Sequence, residues 1–306
     1  MTPTTEDAIV HEFARHEYFL PGGSQCPGCG SLLATKIALQ AIFDEAPDAL
    51  VFGASCGAGR SPHRMAGLGL RCSAAVGIKA ALTIRGIDRP VVVVGGEGQT
   101  FDMGLDDLSG AFMSGYPFMA FVLDNQSYAS SGGHRTGMTE RFRRTKVHLG
   151  GVPRAKKHPC IMMAYSGARY VATASPFFTE DLVRKVRLAV RHMPSLIHVH
   201  TPCIPTWETD PKDTVVISRL AVQSGLFPLY EALDGAWSRM TTGRRPVQEY
   251  VKLMGQFADL GAAEIATIED DVASLSATLD DLVRGGGAAA ASTGAPPTGE
   301  GGGTGR

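Results

Sequence analysis

Four of the six cysteines carry the first chemical signal in this sequence. Cys26 and Cys29 stand in a C-P-G-C-G loop, Cys56 in A-S-C-G-A-G and Cys203 in H-T-P-C-I-P. A C-x-x-C pair alone serves zinc, a redox disulfide or an iron–sulfur centre equally well. Between the third and fourth cysteines lies a second set of groups. Gly96-Glu97-Gly98 closes one apolar run, and Asp124-Asn125 closes the next. A carboxylate and a carboxamide at two such places read as a diphosphate–metal signature. Mg²⁺ takes hard oxygen ligands and shares them with phosphates. The glycines allow close backbone approach to the anion, and a helix starting near Gly104 would aim its N–H groups at it. The plain alternative is a strand-to-helix turn with an exposed Glu97. A cysteine set beside a diphosphate site points to redox chemistry.

These groups need a scaffold. Ser31 to Phe43 reads as a helix, Leu50 to Gly53 as a strand leading to Cys56, and Cys72 to Ile84 as a small-residue helix. Val91-Val92-Val93-Val94 is a continuous β-branched run, the mark of a strand buried on both faces. Leu105 to Met113 has Leu105, Leu108 and Phe112 on one side, as a helix requires. Phe118–Leu123, Tyr170–Ala174 and Leu196–His200 are further strands. Strands alternating with helices give an α/β fold with a mostly parallel sheet and helices on both faces. Cys56, Glu97, Asn125 and Cys203 each fall at or just beyond the C-terminal end of a strand, the edge where such sheets bind ligands.

Ile265, Ile268, Val272, Leu275, Leu279 and Leu282 recur at spacings of three and four, which gives a helix with one apolar seam. It docks on its own domain or on a partner subunit. Residues 1–284 are expected to form one unit. The Gly/Ala/Pro/Thr-rich stretch 285–306 holds too little apolar surface to order itself and is expected to be disordered. A net charge of −1 provides no general attraction to nucleic acid or an anionic membrane. No apolar run approaches the roughly 20 residues that span a bilayer, and Met1–Asp7 lacks a signal-peptide pattern. A cytoplasmic location follows as the expectation, and there cysteines serve as ligands or core residues more often than as disulfides. The basic stretch 141–158, with Arg141, Arg143, Arg144, Lys146, Arg154, Lys156 and Lys157, reads as a solvated loop. Its second reading is a contact with the phosphates of a ligand or with an acidic partner.

Gly96-Glu97-Gly98, 26 residues, then Asn125, resembles the thiamine-diphosphate motif G-D-G…N. More widely, five stretches follow one another in the order of a single family: C-P-G-C-G, G-E-G-Q-T-F-D-M-G-L-D-D-L-S-G-A, L-D-N-Q-S-Y, Y-V-A-T-A-S-P, and T-P-C-I-P-T-W with the I-S-R-L-A-V-Q-S-G-L-F-P-L-Y-E after it. On these the chain resembles the β subunit of 2-oxoacid:ferredoxin oxidoreductases, most closely the pyruvate type. The resemblance implies the thiamine-diphosphate-binding fold, with Gly96, Glu97, Gly98, Asn125, Ser127, Tyr128 and Cys56 around the cofactor. It implies Glu97, Asn125 and Ser127 about Mg²⁺, and Cys26, Cys29, Cys56 and Cys203 as ligands of a [4Fe-4S] cluster. Zinc would use the same four thiolates. Cys72 and Cys160 match no ligand position, and Cys72 is read as a buried small hydrophobe.

The implied reaction is oxidative decarboxylation of a 2-oxoacid to acyl-coenzyme A and CO₂, run in either direction, with electrons leaving through clusters to ferredoxin. The glutamate that activates the thiamine ring belongs to a partner α subunit in this family, so the chain is expected to hold half of an active site. Four positions depart from the family pattern: Glu97 stands for Asp, Ser130 for Asn, His134 for Gln and Gly23 for His. Ser130 and His134 are the catalytic candidates. Ser130 would hydrogen-bond a substrate carboxylate, and His134 would be a general base or a structural hydrogen-bonding residue. The departures admit an unusual 2-oxoacid, such as oxalate or an arylglyoxylate. The competing functions are a non-redox thiamine decarboxylase or carboligase, and a cluster-bearing subunit without thiamine.

Overall fold

A computed structural model describes residues 25–54, 71–257 and 260–289. Cys56 and Gly23, and most of the C-terminal Gly/Ala-rich stretch, lie outside them. Five strands run parallel in one sheet: β1 (Leu50–Ala54), β2 (Val91–Gly96), β3 (Met119–Asp124), β4 (Tyr170–Ala174) and β5 (Ser195–His200). A hairpin of β6 (Tyr230–Leu233) and β7 (Ala236–Arg239) adds antiparallel to β4, so the order is β1-β2-β3-β5-β4-β6-β7. Every residue of β3, β4 and β5 is buried, as continuous apolar runs in a covered sheet require.

Alternation along each strand divides the core between two faces. Val92, Val94, Met119, Phe121, Leu123 and Ile197 pack beneath α1 (Gly30–Glu45) and α5 (Thr179–Arg191). Val91, Val93, Phe118, Ala120, Val122 and Leu196 pack on the other side, against α2 (Arg71–Ile84), α3 (Leu105–Met113) and α4 (Pro159–Ala164). A third cluster gathers α6 (Ile204–Trp207), α7 (Thr214–Gln223) and α8 (Val247–Val251) beside the sheet's C-terminal edge.

The long helix α9 (Ala262–Ala289) lays its apolar seam on its own chain. Ile265 and Ile268 enter the third cluster, and Leu275 and Leu279 enter the second. It runs past Arg284 to Ala289 before the description stops.

Three features differ from the sequence reading. The turn after Glu97 is a π-helical turn, Gly98–Met103, whose sequence has no apolar period to announce it. The β6–β7 hairpin was not foreseen. The basic stretch 141–158 is solvated only in part: Lys146 and Arg154 are exposed, and other cations turn inward. Arg143 is only 1% exposed, Lys156 forms a buried ion pair with Glu140, Lys157 binds Asp102 at 2.6 Å, and Arg141 grips Asp271 of α9 at 2.6 Å. Arg141, Lys156 and Lys157 each meet an acid outside the stretch and Arg143 meets Gln126 and Gln256, contacts that composition alone does not reveal.

Candidate cofactor and cluster site

The sheet order makes neighbours of residues far apart in the chain. Glu97 follows β2, Asn125 follows β3 and Cys203 lies just beyond β5, and these three strands are adjacent. Neighbouring strands lie about 4.8 Å apart, so the three ends share one edge.

Glu97 is 1% exposed. Burial pushes its carboxyl well above the usual carboxylate range, and nearby Asp124 adds to the push; backbone N–H groups of Glu97, Ser127 and Asn125 pull the other way. Thr136 Oγ1 also donates to Glu97 Oε1, at 3.3 Å. Asn125 is buried. Its Oδ1 accepts from the Ser127 N–H at 3.1 Å and from Ser127 Oγ at 3.2 Å, and its backbone carbonyl accepts from Trp207 Nε1 at 2.7 Å. Ser127 Oγ also meets Thr206 Oγ1 at 3.0 Å. Asp124, fully buried, is held by His198 Nε2 at 2.8 Å and by the Gln126 N–H at 2.9 Å.

Gly98 is required by a close approach. A Cβ there would lie 2.6 Å from Tyr128 Cε1 and 2.7 Å from Thr136 Cγ2. Tyr128 closes the corner by donating its hydroxyl to the Gly98 carbonyl at 2.9 Å, and burial followed by Asp102 pushes that phenol up to about 12. Asp102, inside the π turn, accepts the Gly137 N–H at 2.8 Å and so ties the turn to the loop after Tyr128. Gly96 contributes its carbonyl to Thr100 Oγ1 at 2.9 Å.

The cysteine end is built by backbone contacts. Gly30 donates its N–H to the Pro202 carbonyl at 3.1 Å, and a Cβ on Gly30 would lie 2.6 Å from Pro202 Cδ. Ser31 Oγ donates to Thr201 Oγ1 at 3.0 Å. The C-P-G-C-G loop therefore docks on the segment that carries Cys203. Cys29 caps α1, its Sγ accepting the Leu32 N–H at 3.4 Å, and a helix N-terminus favours the thiolate form. Cys26 is exposed, while Cys29 and Cys203 are half-buried. Cys72 and Cys160 differ in kind: both are buried, and burial pushes both thiols far up. No disulfide joins the described cysteines. Among the described residues, no three or more His, Cys, Asp or Glu side chains converge as a metal-binding group, and Cys56 lies outside them.

Ser130 is exposed in the short 3₁₀ turn Ala129–Ser131. His134 is half-buried, and its carbonyl accepts the Tyr128 N–H at 2.9 Å, which pins the loop's base beside the corner. Four residues of the corner were not singled out from sequence: Asp102, Thr136, Thr206 and Trp207. Trp207 had a legible signal, since a position four after Cys203 returns to the same side one helical turn on.

Residues 59–199 match the family model described as thiamine pyrophosphate enzyme, C-terminal TPP binding domain. Pyruvate synthase subunit PorB of Methanocaldococcus jannaschii is 32% identical, over 85% of this chain and 96% of that protein. The Methanosarcina barkeri subunit of the same name is 37% identical over 67% of this chain and 72% of its own length. Ketoisovalerate oxidoreductase subunit VorB of Pyrococcus furiosus is 31% identical over 83% of this chain and 89% of that protein. The solved 2-oxoglutarate:ferredoxin oxidoreductase from Magnetococcus marinus shares the fold, with a TM-score of 0.53 over 66% of this chain and 79% of its own, at 20% identity. With relatives above 30% identity along most of its length, the chain belongs to the family of PorB- and VorB-type β subunits of 2-oxoacid:ferredoxin oxidoreductases.

Proposed function

We propose that this chain is the thiamine-diphosphate-binding half of an enzyme that oxidatively decarboxylates a 2-oxoacid, pyruvate or a close relative, to acyl-coenzyme A and CO₂. The observation that carries the reading is the row of Glu97, Asn125 and Cys203 at three adjacent strand ends. The donor set at the first two suits Mg²⁺, because carboxylate, carboxamide and backbone oxygens are hard ligands. Glu97, Asn125 and Ser127 would hold the ion, and a cation there would relieve the cost of burying the Glu97 carboxylate. Cys26, Cys29, Cys56 and Cys203 would hold a [4Fe-4S] cluster, and the docking of the Cys29 loop on Pro202 supports their assembly.

Thiamine diphosphate supplies an electron sink for the decarboxylation, and the cluster supplies a one-electron outlet to ferredoxin. The chain's own part is positioning. Gly98 admits the diphosphate to the backbone, Tyr128 and Asp102 fix the π turn, and Trp207 holds Asn125. Ser130 and His134, on the loop anchored by Tyr128, are the groups assigned to the substrate. The activating glutamate comes from an α subunit, and coenzyme A and ferredoxin complete the reaction in the cytoplasm. Among the described residues no helix is long and apolar enough to cross a membrane.

The test is anaerobic co-expression with the neighbouring subunit, followed by a 2-oxoacid panel with coenzyme A and a low-potential dye as acceptor. Coenzyme A-dependent dye reduction by pyruvate or a branched 2-oxoacid is expected. Release of CO₂ without dye reduction, from protein lacking iron, would replace this reading with a non-redox thiamine enzyme.

A further inference from the structure

The basic stretch 141–158 holds seven lysines and arginines, and five of them are engaged within the fold. Arg141 binds Asp271, Arg143 binds Gln126 and Gln256, and Arg144 donates to the Gly255 carbonyl at 3.4 Å. Lys156 pairs with Glu140, and Lys157 with Asp102. The other two, Lys146 and Arg154, are exposed and have no partner among the described residues. Lys146 nevertheless stands against the site. A Cβ on Gly132 would lie 3.4 Å from Lys146 Nζ and 3.9 Å from its Cδ. Gly132 is midway between Ser130 and His134, the groups assigned above to the substrate.

The backbone that carries this ammonium is held. Thr145 and His148 exchange N–H···O bonds of 3.1 Å each, which closes a turn with Lys146 inside it. The turn is anchored at both ends: the Arg144 N–H donates to the Gln256 carbonyl at 3.1 Å, and the Gly151 N–H to the His148 carbonyl at 3.0 Å. The Ser130 loop is held as well. A Cβ on Gly133 would lie 3.2 Å from Thr206 Cγ2, and Thr206 Oγ1 meets Ser127 Oγ. Gly132 and Gly133 sit at φ 98° and 83°, which glycine adopts without strain. The loop therefore touches Thr206, beside the Asn125 turn, at one glycine and Lys146 at the next.

We propose that Lys146 is a further substrate-binding residue, whose ammonium captures the carboxylate of the incoming 2-oxoacid at the Ser130–His134 loop. This rests on the function proposed above. A 2-oxoacid is an anion at neutral pH, and an ammonium makes a charge-assisted hydrogen bond to a carboxylate. The charge acts on capture, not on bond breaking. A cation fixed on the carboxylate throughout the reaction would favour the ground state, because negative charge leaves that group as CO₂ departs. The exposed, flexible stem of Lys146 lets the ammonium release it. Its contribution therefore falls on KM and not on kcat.

The experiment is steady-state kinetics of the anaerobically purified complex with pyruvate and with ketoisovalerate, read by coenzyme A-dependent dye reduction. It compares the wild type with Lys146→Met, which keeps the stem without the charge, and Lys146→Arg, which keeps the charge. Arg154→Met is the control, removing the same charge from the same stretch at a residue that does not touch Gly132. KM is expected to rise about 2- to 10-fold in Lys146→Met, the worth of one exposed hydrogen-bonded ion pair, with kcat and Tm near wild type. Lys146→Arg should restore KM, Arg154→Met should leave it unchanged, and added salt should narrow the gap between wild type and Lys146→Met. An unchanged KM in Lys146→Met, an equal rise in Lys146→Arg or in Arg154→Met, or a fall in kcat at constant KM would overturn the inference and leave the proposed function intact. A wild-type complex that oxidises neither acid would overturn that function, and this inference with it.

Discussion

Replacing Gly98 with alanine tests whether the corner proposed for the diphosphate is built as described. The added Cβ would sit 2.6 Å from Tyr128 Cε1 and 2.7 Å from Thr136 Cγ2. Ordinary carbon contacts lie at about 3.5–4.0 Å, so the overlap is roughly 1 Å on two sides. Tyr128 cannot yield freely. Its N–H is bound to the His134 carbonyl at 2.9 Å, its carbonyl accepts the Gly133 N–H at 3.0 Å, and its hydroxyl is bound to Gly98 itself. Overpacking of this kind costs about 1–3 kcal/mol. For a chain of this size that lowers Tm by about 2–12 °C. If the strain is relieved by moving the turn, it appears instead as roughly 5- to 150-fold weaker cofactor binding. The assay is a thiamine diphosphate titration with Mg²⁺ on the complex, read by tryptophan fluorescence, with Tm measured on the same samples. Gly110→Ala is the matched control: a Cβ at that exposed site in α3 meets nothing within 4 Å, and the change should stabilise by about 0.5–1 kcal/mol. If Gly98→Ala behaved like Gly110→Ala in both readouts, the close approach would not exist and the reasoning would fail.

Two further outcomes follow from buried charges. The Glu97 carboxyl is held above its unfolded value, so its contribution to apo-protein stability is complete below roughly pH 4 and is lost as pH rises through the folded value. Mg²⁺ competes with that proton, so cofactor affinity should strengthen with pH over the same window; Glu97→Gln should flatten both profiles, and a Gln variant with the wild-type Mg²⁺ dependence would remove Glu97 from the metal site. Lys156→Met leaves Glu140 buried without its cation and the Leu226 carbonyl without a donor, which should cost about 3–5 kcal/mol. Adding Glu140→Gln should restore most of the lost Tm, and an additive double variant would show that the pair is not coupled.

The sheet and the placing of Glu97 and Asn125 at its edge were legible because their signals are local. Val91–Val94 is a β-branched run that forms a buried strand, and Glu97 and Asn125 stand at the ends of such runs. Leu105–Met113 had its apolar period and formed the helix expected. What remained hidden depends on partners distant in sequence. Arg143 sits in a basic run that suggests solvent, yet its ligand Gln256 is 113 residues away. Arg141 meets Asp271 across 130 residues. The π turn is set by Asp102 binding the Gly137 N–H and Lys157, contacts that no spacing within Gly98–Met103 encodes.

The same long-range contacts bear on how the two halves of the site work together. Asn125, proposed above for the metal side, is not held by its own strand alone. Its carbonyl is fixed by Trp207, one helical turn past Cys203, and Ser127 is fixed by Thr206 in that same turn. A shift of the Cys203 turn must therefore displace the acceptor side of Asn125 or break a buried hydrogen bond, which costs about 1–3 kcal/mol for the group left unpaired. Coupling between two binding events is reciprocal. Whatever free energy an assembled cysteine set contributes to the Asn125 turn, a bound diphosphate and metal return to the cysteine set. The physical link is five residues long, Cys203 to Trp207, and it explains why a tryptophan with no chemistry of its own is fully buried where the two halves meet.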